Sequence, residues 1–195
     1  MATPAGTRPR GEGRAHLNEV ALRLFALRGV EGTSLQDIAA EMGVSKAALY
    51  YHYKTKDELV LGVIAPLLDE LAQIVEDAER HRGRQARIDV VITGMVRIVL
   101  ESQSWFKVFM SDPYVVRLLP EQTALRQSWH RLADLVTGPD HDEFMKVALL
   151  CFVSGLPGSL RDPQVAALDR AQLRDYLVEC GRRLLQTRRR TTHAG

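Results

Sequence analysis

The chain has 195 residues and a formal net charge of +2, enough length for one ordinary domain with a smaller second one and too little charge, by itself, to imply a nucleic-acid partner. With 46% hydrophobic and 26% charged residues it has the make-up of a soluble globular protein rather than a disordered or fibrous one. The basic start is not followed by an apolar run, and the longest uncharged stretch, 147–160, is too short for a membrane span, so neither a secretory leader nor a membrane partner is expected and the cytoplasm is the expected compartment.

Basic residues are unevenly spread: Arg8, Arg10 and Arg14 lie at the start, and Arg182, Arg183, Arg188, Arg189 and Arg190 near the end. Residues 1–13, rich in Pro, Gly and Arg, read as a disordered basic arm. From residue 14 the pattern is helical, with Leu17, Val20, Ala21, Leu24 and Phe25 forming one apolar stripe that Gly29 stops. Ser34 and Asp37 have capping-box spacing and open a short helix whose apolar face is Leu35, Ile38, Ala39 and Met42. Gly43 ends it, and Ser45 caps a third helix over 46–52. Thr55 and Glu58 pair in the same way before a long fourth helix, to about residue 80, that Pro66 should bend. Further helices are predicted over 85–101, 121–136 (stopping at Gly138-Pro139), 143–159 and 169–187, with an aromatic segment at 105–110 and a frayed basic tail at 188–195. No strand alternation of useful length and no internal repeat occurs. Cys151 and Cys180 each fall inside an apolar periodic stretch and read as small core residues in a reducing compartment. No metal-type Cys/His spacing is present, and neither a metal nor a cofactor is expected.

The compact unit is 33–53, TSLQDIAAEMGVSKAALYYHY. Two short helices joined by a tight turn are the sequence form of a helix-turn-helix, whose second helix enters the DNA major groove. Ala39 is small where the helices must cross, and Gly43 permits a left-handed turn. Val44 is expected to plug the space beneath the turn, and Leu49 to anchor the third helix. That leaves Ser45, Lys46, Ala47, Ala48, Tyr50, Tyr51 and His52, with Lys56 in the next turn, as the DNA-binding set. Lys46 can reach a base edge or a phosphate, and the methyls of Ala47 and Ala48 can touch thymine methyls. Tyr50 and His52 can donate to phosphate oxygens, while Lys56 sits where free backbone N–H groups already favour a phosphate. The Arg-bearing arm can track the backbone or enter a minor groove. Tyr53 reads as a packing residue. His52 reads equally as a DNA contact or as the end of its helix.

These residues resemble the TetR family of regulators: Leu24-Phe25 with Gly29, then Thr33, Ile38-Ala39, Gly43-Val44-Ser45, Leu49-Tyr50, His52-Tyr53, Lys56 and Leu59. The resemblance covers about 14–62. Family members often carry Gly where Ala47 stands and Phe where Tyr53 stands, and neither change threatens the fold. The resemblance implies an all-α protein: a three-helix DNA-binding domain at 14–60, then a larger helical ligand-binding and dimerisation domain at 61–187. It also implies a homodimer on a palindromic double-stranded operator, a small-molecule effector, a dimer bundle built from the last two long helices, and DNA contacts from Lys46, Tyr50 and Lys56.

Within the body, Met95, Trp105, Phe106, Phe109, Met110, Tyr114, Trp129, His130 and Phe152 are the candidate ligand-binding set. The aromatic cluster reads equally as plain core or as the lining of a pocket for a mostly hydrophobic effector. The candidate dimer seam is Leu149, Val153, Leu156, Leu173, Tyr176, Leu177, Cys180 and Leu184, with Leu150 beside it. Enzyme readings find no support: SGLPGS at 154–159 lacks the Lys-Ser/Thr ending of a phosphate loop, and there is no Gly-x-Ser-x-Gly, metal His pair or Gly-x-Gly-x-x-Gly. The expected function is a repressor released from its operator by a small ligand. The alternatives are an activator of the same family and a helical small-molecule binding protein that does not regulate DNA.

Overall fold

The computed structural model describes residues 10–102 and 112–186, and the described residues are helical throughout, with no strand among them. In chain order the helices are α1 (Arg10–Arg28), α2 (Leu35–Glu41), α3 (Lys46–His52), α4 (Lys56–Glu79), α5 (Arg84–Glu101), α6 (Pro113–Leu118), α7 (Thr123–Thr137), α8 (Glu143–Ser159), α9 (Pro163–Ala166) and α10 (Arg170–Leu185). A 3-10 turn, Leu119–Glu121, joins α6 to α7. The chain divides into two compact units. One takes the described residues up to Pro66 together with 112–119. The other takes 67–102 and the described residues from Pro120 on.

The first unit is built on the stripe of α1. Leu17, Val20, Ala21, Leu24 and Phe25 are all buried, together with Val30, Ile38, Ala39, Leu49, Tyr53, Leu59, Val60, Val63, Ile64 and Val115. Local chemistry sets the helix ends. Gly29 and Gly43 take φ of +75° and +66°, the left-handed region that a side chain disfavours. Ser34 and Asp37 form a complete capping box on α2, and Ser45 Oγ accepts from the Ala48 N–H at the start of α3. The third pairing is modified: Thr55 Oγ1 accepts from Glu58 N, but the Glu58 carboxylate accepts from Lys54 N rather than from Thr55.

Tyr53 joins three helices of this unit. Its hydroxyl accepts from Arg14 Nε at 2.9 Å and donates to Asn18 Oδ1 at 2.8 Å, while Asn18 Nδ2 donates to the Gly62 carbonyl at 3.0 Å. Its ring occupies the space that a Cβ on Gly62 would need.

The second unit packs α5 against α7, α8 and α10, and α8 against α7 and α10. Ion pairs tie its rim: Arg131 to Glu79 and Arg182 to Asp89, each through two hydrogen bonds. The Asp89 carboxyl is held below its usual range by the bond from Arg182.

Several sequence expectations need correction. Helix α1 begins at Arg10, not residue 14, so it takes in residues 10–13 of the expected arm, and within it Arg14 donates to the Tyr53 hydroxyl. Val44 is 38% exposed and does not plug the turn. Helices α6 and α9, each started by an Asp cap and a Pro, carried too few residues to show a period. Cys151 and Cys180 are exposed, not core, because α8 and α10 turn those positions away from their own unit. Conversely Leu149, Leu156, Leu173 and Leu177 of the candidate seam are buried within the chain itself. Of that set, Tyr176 and Leu184 are exposed along with Cys180, and Val153 is half-buried. The 105–110 segment, residues 1–9 and the basic tail lie outside the described residues.

The Tyr53 packing yields a test. In Gly62→Ala the new methyl meets a ring fixed by two hydrogen bonds and only 2% exposed. Overpacking of this kind costs about 1–3 kcal/mol, against roughly 1 kcal/mol returned by the better helix former. Because the methyl would overlap both the phenol oxygen and ring carbons, the upper part of that range applies, and a net loss of about 1–2 kcal/mol is expected from urea unfolding. A variant as stable as wild type would show that Tyr53 yields easily and does not fix α3 to α4.

Candidate nucleic-acid interface

Helix α3 has seven residues, of which Leu49 alone is buried. A helix of two turns has no stability of its own. It is held by Leu49 below, by the buried Tyr53 at its carboxyl end and by the Ser45 cap at its start. That support leaves the opposite face open. Lys46, Ala47, Ala48, Tyr50 and Tyr51 are exposed, as is Ser45, and His52 is half-buried. The eight residues of the candidate DNA set therefore come from the Ser45 cap of α3, from α3 itself and from the first residue of α4, Lys56, which is also half-buried.

The individual groups are ordered to different degrees. Lys46 Nζ sits 5.5 Å from the centre of the Tyr50 ring, a cation–π arrangement that keeps the ammonium near the helix start. Tyr51 and His52 meet edge to face, their ring centres 5.5 Å apart. The His52 ring also approaches Gly13 of α1, within 3.8 Å of where a Cβ would lie. The Ser45 oxygen accepts from Ala48 N at 3.2 Å, which leaves its own O–H available as a donor. Two alanines side by side keep the centre of this face shallow.

Lys56 is more constrained than its sequence position suggests. Its ammonium donates to the Glu31 carbonyl at 3.2 Å and lies 4.9 Å from the centre of the Tyr114 ring. Partial desolvation lowers its pKa, while Glu31, Asp112 and Asp57 nearby favour the charged form.

Tyr114 itself donates to Asp57, and its pKa is pushed up to about 12, first by burial and then by that bond. Tyr114 thus belongs to the first unit. Met95, Trp129, His130 and Phe152 belong to the second. Within the second unit Met95 and Phe152 are buried, the Phe152 ring fills the space a Cβ on Gly181 would take, Trp129 is half-buried and His130 is exposed. Trp105, Phe106, Phe109 and Met110 lie outside the described residues. Two open cavities in this unit, of about 880 and 480 Å³, are lined by other side chains, among them Arg97, Arg170 and Arg174 in the larger and Arg84, Arg87 and Arg131 in the smaller.

Sequence reasoning missed three groups that position this surface. Thr33 is buried and donates to the Gly29 carbonyl at 2.8 Å, closing the α1–α2 loop. Asn18 lies on the half-exposed edge of the α1 stripe, where polarity was unremarkable. Asp112 accepts from Val30 N at 2.6 Å across 82 positions of chain, a distance no local pattern spans.

Residues 17–63 match the model of the bacterial regulatory proteins of the tetR family. The chain is 50% identical over 48 residues to the HTH-type transcriptional regulator AcrR of Shigella flexneri, covering 25% of this chain and 22% of that protein. It is 36% identical over 100 residues to the HTH-type transcriptional repressor KstR2 of Rhodococcus jostii, covering 51% of this chain and 49% of the other. These matches span half the relatives' length or less. The fold is similar to the solved transcriptional regulator FadR of Bacillus subtilis in complex with stearoyl-CoA, with a TM-score of 0.65 at 14% identity over 88% of this chain and 97% of that one.

Proposed function

We propose that this chain, whose residues 17–63 form an amino-terminal domain of the tetR family of bacterial regulatory proteins, is a sequence-specific DNA-binding transcriptional regulator that acts as a repressor. The observation that carries the reading is the exposed face of α3. Seven residues are supported from beneath by one leucine, and the outward positions are filled by a lysine, two alanines and two tyrosines rather than by a solvating run of charge. Small side chains let the backbone approach a groove floor, Lys46 serves a base edge or phosphate, and Tyr50 and Lys56 serve the backbone.

One seven-residue helix makes too few contacts for tight specific binding. Two copies related by a two-fold axis double them and read a palindrome, their α3 helices about 34–36 Å apart to meet successive major grooves. The seam assigned here is the exposed apolar face of α8 and α10: Val147, Leu150 and Cys151 with Tyr176, Cys180 and Leu184. Contiguous apolar exposure of that kind marks association surfaces. Release by a small, mostly hydrophobic effector completes the reading; the support is the acyl-CoA held by the Bacillus subtilis protein of similar fold. An effector weakens DNA binding by its differential affinity for two spacings of the dimer.

DNA duplexes selected from a random pool by the chain should be palindromic. Lys56→Ala should weaken all duplexes alike and lower the slope of log affinity against log salt by about 1 per phosphate contact, whereas Lys46→Ala should change the selected sequence. Wild-type behaviour in both variants would remove α3 and the start of α4 from the DNA face. For assembly, Leu150→Glu combined with Leu184→Glu places charges at positions that are open in the single chain, so folding should persist while sedimentation shows a monomer. A dimer that survives both charges would place the seam elsewhere. For the effector, stearoyl-CoA is the probe: it should alter the emission of Trp105 and Trp129 and release the selected duplex. Unchanged emission and unchanged DNA affinity would remove this arm and leave the DNA-binding reading standing.

A further inference from the structure

The short helix α6 is fastened to the first unit at several points. Asp112 Oδ2 accepts from Val30 N at 2.6 Å, Asp112 Oδ1 accepts from Tyr114 N at 2.9 Å, and Val115 is fully buried. Tyr114 donates its hydroxyl to Asp57 in the first turn of α4. The ring so anchored carries the ammonium of Lys56 at 4.9 Å and the guanidinium of Arg117 at 5.2 Å from its centre.

A lysine at a helix start has a flexible four-carbon stem, and ordering it on a phosphate costs rotamer entropy. Here that ordering exists in the free protein. The Glu31 carbonyl takes one of the three N–H donors of Lys56, the Tyr114 face takes up part of its charge, and the side chain remains half exposed with donors to spare. We propose that Tyr114 is a positioning residue for DNA binding: its ring, placed by the Asp112 cap and the buried Val115 of α6, holds the Lys56 ammonium ready for a backbone phosphate. The proposal rests on the reading of Lys56 as a phosphate contact. It assigns part of the DNA affinity to a residue that lies outside the matched 17–63 segment.

The test is a double-mutant cycle with the full chain and one duplex selected by the wild type. Tyr114→Leu removes the ring, and Tyr114→Gln serves in its place if the leucine variant melts more than a few degrees lower. Either should weaken binding about five-fold, the scale of a partly desolvated cation–π contact, and lower the salt slope. Tyr114→Phe keeps the ring and should bind within about two-fold of wild type. In a Lys56→Ala background the loss of the ring should cost nothing further. An equal five-fold loss with and without Lys56, or a Tyr114→Phe variant as weak as Tyr114→Leu, would overturn the positioning role while leaving the DNA reading intact. A wild-type chain that enriches no duplex, or Lys56→Ala binding as tightly as wild type, would remove the reading of Lys56 and the proposal with it.

Discussion

Everything on the candidate DNA surface depends on how a seven-residue helix is held from one side. Leu49 and Tyr53 are the two buried side chains under α3, and they act differently. Leu49 supplies apolar area alone. Tyr53 adds two hydrogen bonds directed at α1, and its ring claims the space beside Gly62 on α4. A phenylalanine would keep the ring and lose both bonds, each worth about 1 kcal/mol in such settings. Because Asn18 also reaches the Gly62 carbonyl, the phenol, the amide and the glycine form one unit. The orientation of α3 follows from that unit, which leaves Lys46, Ala47, Ala48, Tyr50 and Tyr51 exposed on its outer face.

The legible part of this arrangement is the part governed by neighbours in sequence. Caps at Ser34 and Ser45, the left-handed turns at Gly29 and Gly43, and the burial of Ile38, Ala39 and Leu49 all follow from residues within four positions of one another. Val44 shows the limit even there: its apolar character suggested a plug, but the turn closes through its N–H on the Ala39 carbonyl, and the side chain is left partly in solvent. Helix α6 shows a different limit. Asp112 and Tyr114 find Val30 and Asp57 from more than fifty positions away, and in sequence Tyr114 read as one more aromatic for a pocket.

Periodicity identified α8 and α10 as helices with broad apolar faces but could not assign the two sides of those faces. Leu149, Leu156, Leu173 and Leu177 turn inward, and Leu150, Cys151, Tyr176 and Cys180 outward. On α8 the inward and outward residues are adjacent in sequence, so a shift of one position, a rotation of about 100°, exchanges core for surface. A hydrophobic arc wider than one partner requires therefore points to a second partner, while leaving the division between the two to be decided by packing. Close packing decides it here: Gly181 lets α10 approach until Ile92 and Phe152 fill the room of its missing side chain. That contact sets the roll of α10 and so which of its residues face outward.

The same distinction orders the charges. Several arginines in the second unit are matched on its surface, among them Arg97 to Glu70, Arg131 to Glu79 and Arg182 to Asp89, and exposed pairs of this kind contribute little net stability. Their effect is neutralisation, which lowers the indiscriminate pull on a polyanion. On the DNA-binding reading, affinity then has to come from a few cations placed individually. Lys46 is stacked against Tyr50 and Lys56 against Tyr114. With a net charge of only +2, a chain of this kind gains little from long-range attraction. Pre-ordering of single lysines by aromatic neighbours is the means by which it can still make phosphate contacts at low entropic cost.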